Sequence, residues 1–320
     1  MKVLQKMRAG DWFCSTLKIV RGHAPRHSFV RVLTQTLFTG IAAFVLGSTA
    51  SAFAGDGDEG PILPTELPAA ESAAAEIPFQ NHFALVSDID DTIKVTNVLD
   101  WTDLALRYLR GNTTFIGTPS LYQGLAKNSE KIAYLSGSPQ GQKSNLVQLL
   151  FKNDKFPEGD LLLSNWWRPK PTPRFKAEEL EKLALKYKNF ILIGDDAEAD
   201  PVTLTDFAKR HPEVQTRIYI HRIRMAALPD RATGYFVPLE VALNEYEAGS
   251  IEEQAVIDTA EDILKSSVWD RIFPPFKKCP DVTSYKISPG QKGSKSARLV
   301  ELSQEVTAKI VAFCKGRVVP

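Results

Sequence analysis

Phe83–Thr92 reads FALVSDIDDT: five mostly apolar residues, then Asp88, Asp90 and Asp91, then Thr92. A short apolar run bounded by polar residues marks a buried strand of a parallel sheet. Open α/β sheets carry their reactive groups at the carboxyl ends of such strands. Asp88 and Asp90 stand two apart, a spacing that on a strand aims both carboxylates to one side. Three carboxylates in four positions repel one another; at ~4 Å and an effective dielectric of ~20, each close pair costs ~4 kcal/mol. A hard divalent cation with oxygen ligands offsets that repulsion economically. Taken alone, the motif is equally explained by a solvated acidic turn or a helix N-cap at Asp91. An EF-hand loop is excluded, because no Gly stands at its sixth position and no Glu at its twelfth.

The 320 residues suggest one or two domains with a large core. The net charge of +1 is unevenly spread. Residues 1–54 hold seven Lys/Arg and one Asp, which leaves 32 basic against 37 acidic side chains, −5, for the rest. That balance argues against a nucleic-acid partner. The basic start runs into the apolar Leu37–Gly47 and then Ala50-Ser51-Ala52-Phe53-Ala54, where two overlapping sites suit a signal peptidase. The segment is too short to span a bilayer, so residues 1–54 read as an export signal and the mature protein as periplasmic or secreted. An organelle transit peptide is the alternative. Residues 55–78, rich in Gly, Pro, Ala and acids, read as a flexible linker, and the folded domain is expected from residue 79. Once Cys14 leaves with the signal, Cys279 and Cys314 remain, either as one disulfide or as two thiols.

Further strands are expected at Lys131–Leu135, Leu161–Leu163, Phe190–Ile193 and Arg217–Ile223, with helices over Trp101–Arg110, Gln142–Lys152, Phe175–Tyr187 and from Asp200. This alternation over residues 83–223 means a parallel sheet covered on both faces. Ser136-Gly137-Ser138-Pro139 follows its strand as a turn, whose hydroxyl and backbone N–H groups suit a phosphate or merely an ordinary connection. Lys176 stands in the first turn of its helix, where a cation opposes the dipole, and this favours an anion partner. Asp200 and Pro201 make an ordinary helix start, with Asp200 as N-cap; Asp195 and Asp196 at the end of a buried strand have no such explanation. Trp166 and Trp167 either floor a substrate entrance or pack. Ser250-x-x-Glu253 is a capping box, and Ser296–Cys314 a last amphipathic helix. Residues 265–320 carry eleven basic and four acidic side chains, which reads as a solvated face or as contact with a membrane surface.

Four signals stand in order: DxDxT at Asp88–Thr92, a strand ending at Ser136, an isolated Lys176, and GDD(x3)D at Gly194–Asp200. Together they resemble the haloacid dehalogenase-like phosphatase superfamily over roughly residues 80–225. The strings SDIDDTIKVT, YLSGSP and FILIGDDAEADP are more specifically similar to the App1-type phosphatidate phosphatase catalytic domain. The resemblance implies a three-layer Rossmann-like domain at 79–225 with a minimal cap, and residues 226–320 would be a helical extension packed on it. It implies a magnesium-dependent phosphatase acting on phosphatidate or another lipid phosphate, with a general phosphomonoesterase, a protein phosphatase or a non-catalytic magnesium-dependent binding module as alternatives. Asp88 would be the nucleophile and Asp90 the general acid and base. Mg2+ would sit on the Asp88 carboxylate, the Asp90 backbone carbonyl and Asp195. Ser136, Gly137 and Lys176 would hold the phosphate, supported by Thr92, Asp196 and Asp200. Relatives tend to have GDSG where this chain has Gly194-Asp195-Asp196-Ala197, so Asp196 is expected to add charge beside the metal.

Overall fold

The computed structural model describes residues 82–100, 102, 113–165, 172–273 and 279–315. The expected signal and linker, the helix from Trp101, and Trp101, Trp166 and Trp167 lie outside the described residues. Six parallel strands form one sheet in the order β3-β2-β1-β4-β5-β6. They are β1 Phe83–Asp88, β2 Ser129–Pro139, β3 Asp160–Ser164, β4 Asn189–Asp195, β5 Gln215–His221 and β6 Ala232–Tyr235. The chain steps outward from β1 through β2 to β3, then returns to the other side of β1 with β4. The strand order therefore reverses between β1 and β4, where α/β sheets open a crevice at their carboxyl edge. All six β1 residues are buried because both faces are covered: Ala84 and Val86 enter one core, Phe83 and Leu85 the other.

One face is covered by α2 (Thr172–Ala184) and α3 (Asp200–Arg210), which contribute Leu180, Ala184, Leu204 and Phe207. The other carries α1 (Thr118–Ala126) and a helical stretch at residues 140–153 that passes from a 3₁₀ turn through an α turn into a π-helical one. The same core takes in α4 (Pro238–Glu247), α5 (Glu253–Lys265), the short α6 (Trp269–Ile272) and α7 (Ala297–Lys315). Buried Val256, Ala260, Ile263, Leu299, Leu302, Val306 and Ile310 belong to one cluster with Phe83 and Leu85. The helices after residue 226 thus complete a layer of the sandwich. Gly124 on α1 lies so close to α5 that a Cβ there would come within 2.6 Å of the Ala255 Cβ. Among the described residues no helix is long and apolar enough to cross a membrane.

Several expectations need correction. β2 does not turn after Leu135; it stays extended through Ser136-Gly137-Ser138 to Pro139, which pairs with Ser164 across an irregular register. β6 was not foreseen, because only Tyr235 of its four residues is buried and the apolar signal is weak. Ser250 and Glu253 form no capping box. The Ser250 hydroxyl instead takes a hydrogen bond from Arg217 at 2.6 Å, beside the pair that half-buried Arg217 makes with buried Glu245, and Glu253 accepts from Ser296. The α3 N-cap is Ala199, so Asp200 is the first helical residue and its side chain makes no cap. Cys279 and Cys314 are joined as a disulfide, tying the end of α7 to the segment that precedes it.

Candidate active site

Asp88 ends β1 and Asp195 ends β4, so strand geometry alone brings both to the crevice at the strand-order reversal. Asp200 reaches the same place from the first turn of α3. It passes directly over Gly194, where a Cβ would lie 2.6 Å from its Oδ2. Glycine is required there for that approach. One carboxylate oxygen of each of Asp88, Asp195 and Asp200 lies within 4.8 Å of the others, and all three residues are buried. Lys176 enters from α2, 2 % exposed, with Nζ 2.7 Å from Asp88 Oδ1 and 2.5 Å from Asp200 Oδ1. Because α2 begins at Thr172, Lys176 lies beyond the first turn; two carboxylates, rather than a helix end, explain its placement. Asp195 accepts the Ala197 N–H at 2.6 Å and the Thr92 hydroxyl at 3.3 Å.

Burial pushes Asp88 and Asp195 well above the ordinary carboxylate range; Lys176 opposes the rise, and the neighbouring acids add to it. Burial alone would lower the Lys176 pKa, yet Asp200 and Asp88 hold it well above its usual value. Three carboxylates facing one ammonium leave the group short of positive charge. Asp88 Oδ2 and Asp200 Oδ2 are buried with no hydrogen-bond partner. Buried oxygens without donors are costly, and an all-oxygen set of this kind suits a hard divalent cation. The donor set therefore fits such an ion, with Asp200 as a side-chain member that the sequence reading kept in a supporting role.

Asp90 does not share this cluster. β1 stops at Asp88, so the two-residue spacing does not aim both carboxylates together. The Asp90 Oδ1 takes Lys94 Nζ at 3.1 Å and Thr96 Oγ1 at 3.0 Å, while Oδ2 takes Ser136 Oγ at 3.0 Å and Ser138 Oγ at 3.3 Å. Burial raises its pKa, but Lys94 and the hydroxyls of Thr96 and Ser136 outweigh that and hold it below the usual range. Lys94, Thr96 and Ser138 went unread in the sequence; hydroxyl and cationic residues close to DxDxT were the available signal. The hydroxyl of Ser136 is already committed to Asp90, and Gly137 is pressed against Thr172, 2.5 Å from where its own Cβ would stand. Asp196, expected beside the metal, turns away. Its Oδ1 accepts the N–H groups of Ile223 and Arg224 and its Oδ2 lies 3.4 Å from Arg222, so it braces the turn after β5.

Residues 83–222 match the family model of the phosphatidate phosphatase APP1 catalytic domain. They are similar to an App1-type catalytic domain. The match begins at the first residue of β1 and ends one residue past β5, so it encloses every site residue above. The App1 family is one of phosphoric monoester hydrolases. The App1-type segment holds β1 to β5 but stops short of α4, α5 and α7, which cover one face of its sheet. A comparison with curated proteins gives no match.

Proposed function

We propose that this App1-type domain is a magnesium-dependent phosphatase that works through an aspartyl-phosphate and removes phosphate from phosphatidate or a related lipid phosphate. The observation that carries the reading is the buried Asp88–Asp195–Asp200 group around Lys176, two of its oxygens lacking donors, inside the App1-matching residues. Asp88, Asp195 and Asp200 would hold the cation, which when bound supplies positive charge to the transferred phosphoryl group. Asp88 attacks phosphorus and the bond to the leaving alkoxide breaks. Lys176 fixes the Asp88 carboxylate and adds charge toward the phosphoryl oxygens. Asp90 gives the leaving oxygen a proton, then takes one from the water that hydrolyses the aspartyl-phosphate. A carboxylate gripped by Lys94, Thr96, Ser136 and Ser138 suits the second of these steps better than the first.

The lipid substrate rests on the family alone. The reading includes an exported enzyme, supported by the basic, apolar and alanine-rich order of residues 1–54 and by the Cys279–Cys314 disulfide. The test is phosphate release from phosphatidate in mixed micelles, a nucleotide and a phosphopeptide, each with magnesium and with chelator. Chelator-sensitive release from phosphatidate above the soluble esters is expected. Equal or faster turnover of the soluble esters makes it a general phosphomonoesterase, and no release from any of them rejects the phosphatase reading.

A further inference from the structure

His221 closes β5, level with Asp195 on β4 and Tyr235 on β6. It is 2 % exposed, with Phe115 edge-on at 4.8 Å and Tyr235 stacked at 5.0 Å between ring centroids. Its Nδ1 lies 2.7 Å from the Asp91 carbonyl oxygen and its Nε2 3.2 Å from that of Phe236. Burial holds the imidazole below its ordinary pKa, and a neutral ring has one N–H to give. The shorter contact marks Nδ1 as the donor.

The mechanism above gives Asp91 no role, yet Asp91 is the corner of the loop that carries Asp90. It has φ 58, a left-handed conformation that a non-glycine residue keeps only when its surroundings hold it. Its N–H goes to Lys94 O at 2.8 Å. Its carboxylate takes the N–H groups of Thr96, Asn97 and Val98 at 2.9, 2.6 and 2.8 Å. Those partners all lie on the same loop, where Lys94 and Thr96 grip Asp90. Among the described hydrogen bonds of Asp91, His221 is the partner that comes from elsewhere in the fold.

We propose that His221 is a positioning residue: its Nδ1–H, given to the Asp91 carbonyl, sets the Asp90-bearing loop against the strand ends that carry Asp88 and Asp195. This rests on the phosphatase reading for its consequence, and on geometry alone for the contact. An Asn side-chain amide nitrogen stands where Nδ1 stands, and a Gln amide nitrogen where Nε2 stands. Both replacements lose the ring packing, so a purely structural role weakens His221→Asn and His221→Gln alike.

The experiment makes both variants in the full chain and reads two quantities. The first is backbone hydrogen exchange across Asp91–Val98 in metal-free protein; the second is magnesium-dependent phosphate release. His221→Asn should exchange like the wild type and keep kcat within about threefold. His221→Gln should exchange at least about tenfold faster and lose about 10- to 100-fold in kcat with KM unchanged, the range seen when a supporting contact is lost. Equal behaviour of the two variants in exchange, or a His221→Asn as impaired as His221→Gln, overturns the proposal. A wild type without phosphatase activity rejects the proposed function instead, while the exchange comparison still decides the contact.

Discussion

Three acids within four positions end with three different sets of partners. Asp88 pairs with Lys176, Asp90 with Lys94 and three hydroxyls, and Asp91 with three backbone N–H groups. The repulsion that a cation was invoked to offset is thus largely relieved by the protein for Asp90 and Asp91. What asks for a cation is the separate gathering of Asp88, Asp195 and Asp200. Asp88→Asn should leave a folded protein, since Lys176 keeps Asp200, while phosphate release falls by ~10³-fold or more; circular dichroism and the release assay check both halves. Glu240 offers a pH test away from the site. Its carboxylate takes the N–H groups of Phe236 and Val237 at 2.7 and 2.9 Å, and burial pushes its pKa from 4.5 up to about 7. The folded state therefore binds more protons than the unfolded one between those values. Stability from this group is full below pH ~4.5 and is lost as pH rises through 7. Relative to Glu240→Gln, the wild type should lose on the order of 2–3 kcal/mol between pH 4.5 and 8. Urea unfolding at both pH values measures the difference, and a pH-independent gap would contradict it.

The helices after residue 226 change the meaning of their own charges. Lys309 caps the end of α5 by bonding the carbonyls of Ile263, Leu264 and Ser266 at 2.7 to 2.9 Å. Arg271 holds the Thr114 carbonyl, Arg298 pairs with Glu261 and Glu301, Lys265 with Glu261, and Lys292 bonds the Tyr246 carbonyl. Lys309 and Arg271 are thus engaged within the fold, while Arg298, Lys265 and Lys292 pair at its surface with groups of the protein itself. The Cys279–Cys314 bond fastens α7 at its far end. Closing a loop of 35 residues stabilises by about 3–4 kcal/mol in the chain-entropy account. Reductant, or Cys314→Ser, should lower Tm by several degrees, and denatured unreduced protein should take up no alkylating agent at either position. Labelling at both cysteines would remove the disulfide from the account.

The molecule is larger than its matching domain in an energetic sense. The apolar cluster that includes Phe83, Leu85 and Tyr134 also contains Val256, Ile263, Leu299 and Ile310, each at most 1 % exposed. Each such side chain contributes roughly 1.5–3 kcal/mol by leaving water, against a net stability of ~5–15 kcal/mol for a whole domain. Residues 79–225 produced alone should therefore be insoluble or molten, binding a hydrophobic dye and lacking near-ultraviolet circular dichroism. A cooperative thermal transition in that fragment would show instead that the later helices are an accessory.

Apolar runs, turn residues and helical spacing are local properties, and they were enough to place β1 to β5, α2, α5 and α7 to within a few residues. Ordered motifs on those elements also brought Asp88, Asp90, Ser136, Lys176 and Asp195 to one edge of the sheet in prospect, because the carboxyl ends of parallel strands share an edge. Which side chains meet there is a matter of distances between elements, and these follow from strand order and helix packing. Asp200 joins Asp88 across 112 positions because Gly194 lacks a Cβ. Asp196, its neighbour in the motif, is claimed by the backbone after β5. Ser250 abandons its expected cap because Arg217, on another element, needs an acceptor. In each case a local rule was outbid by a buried polar group seeking a partner that the fold had brought near.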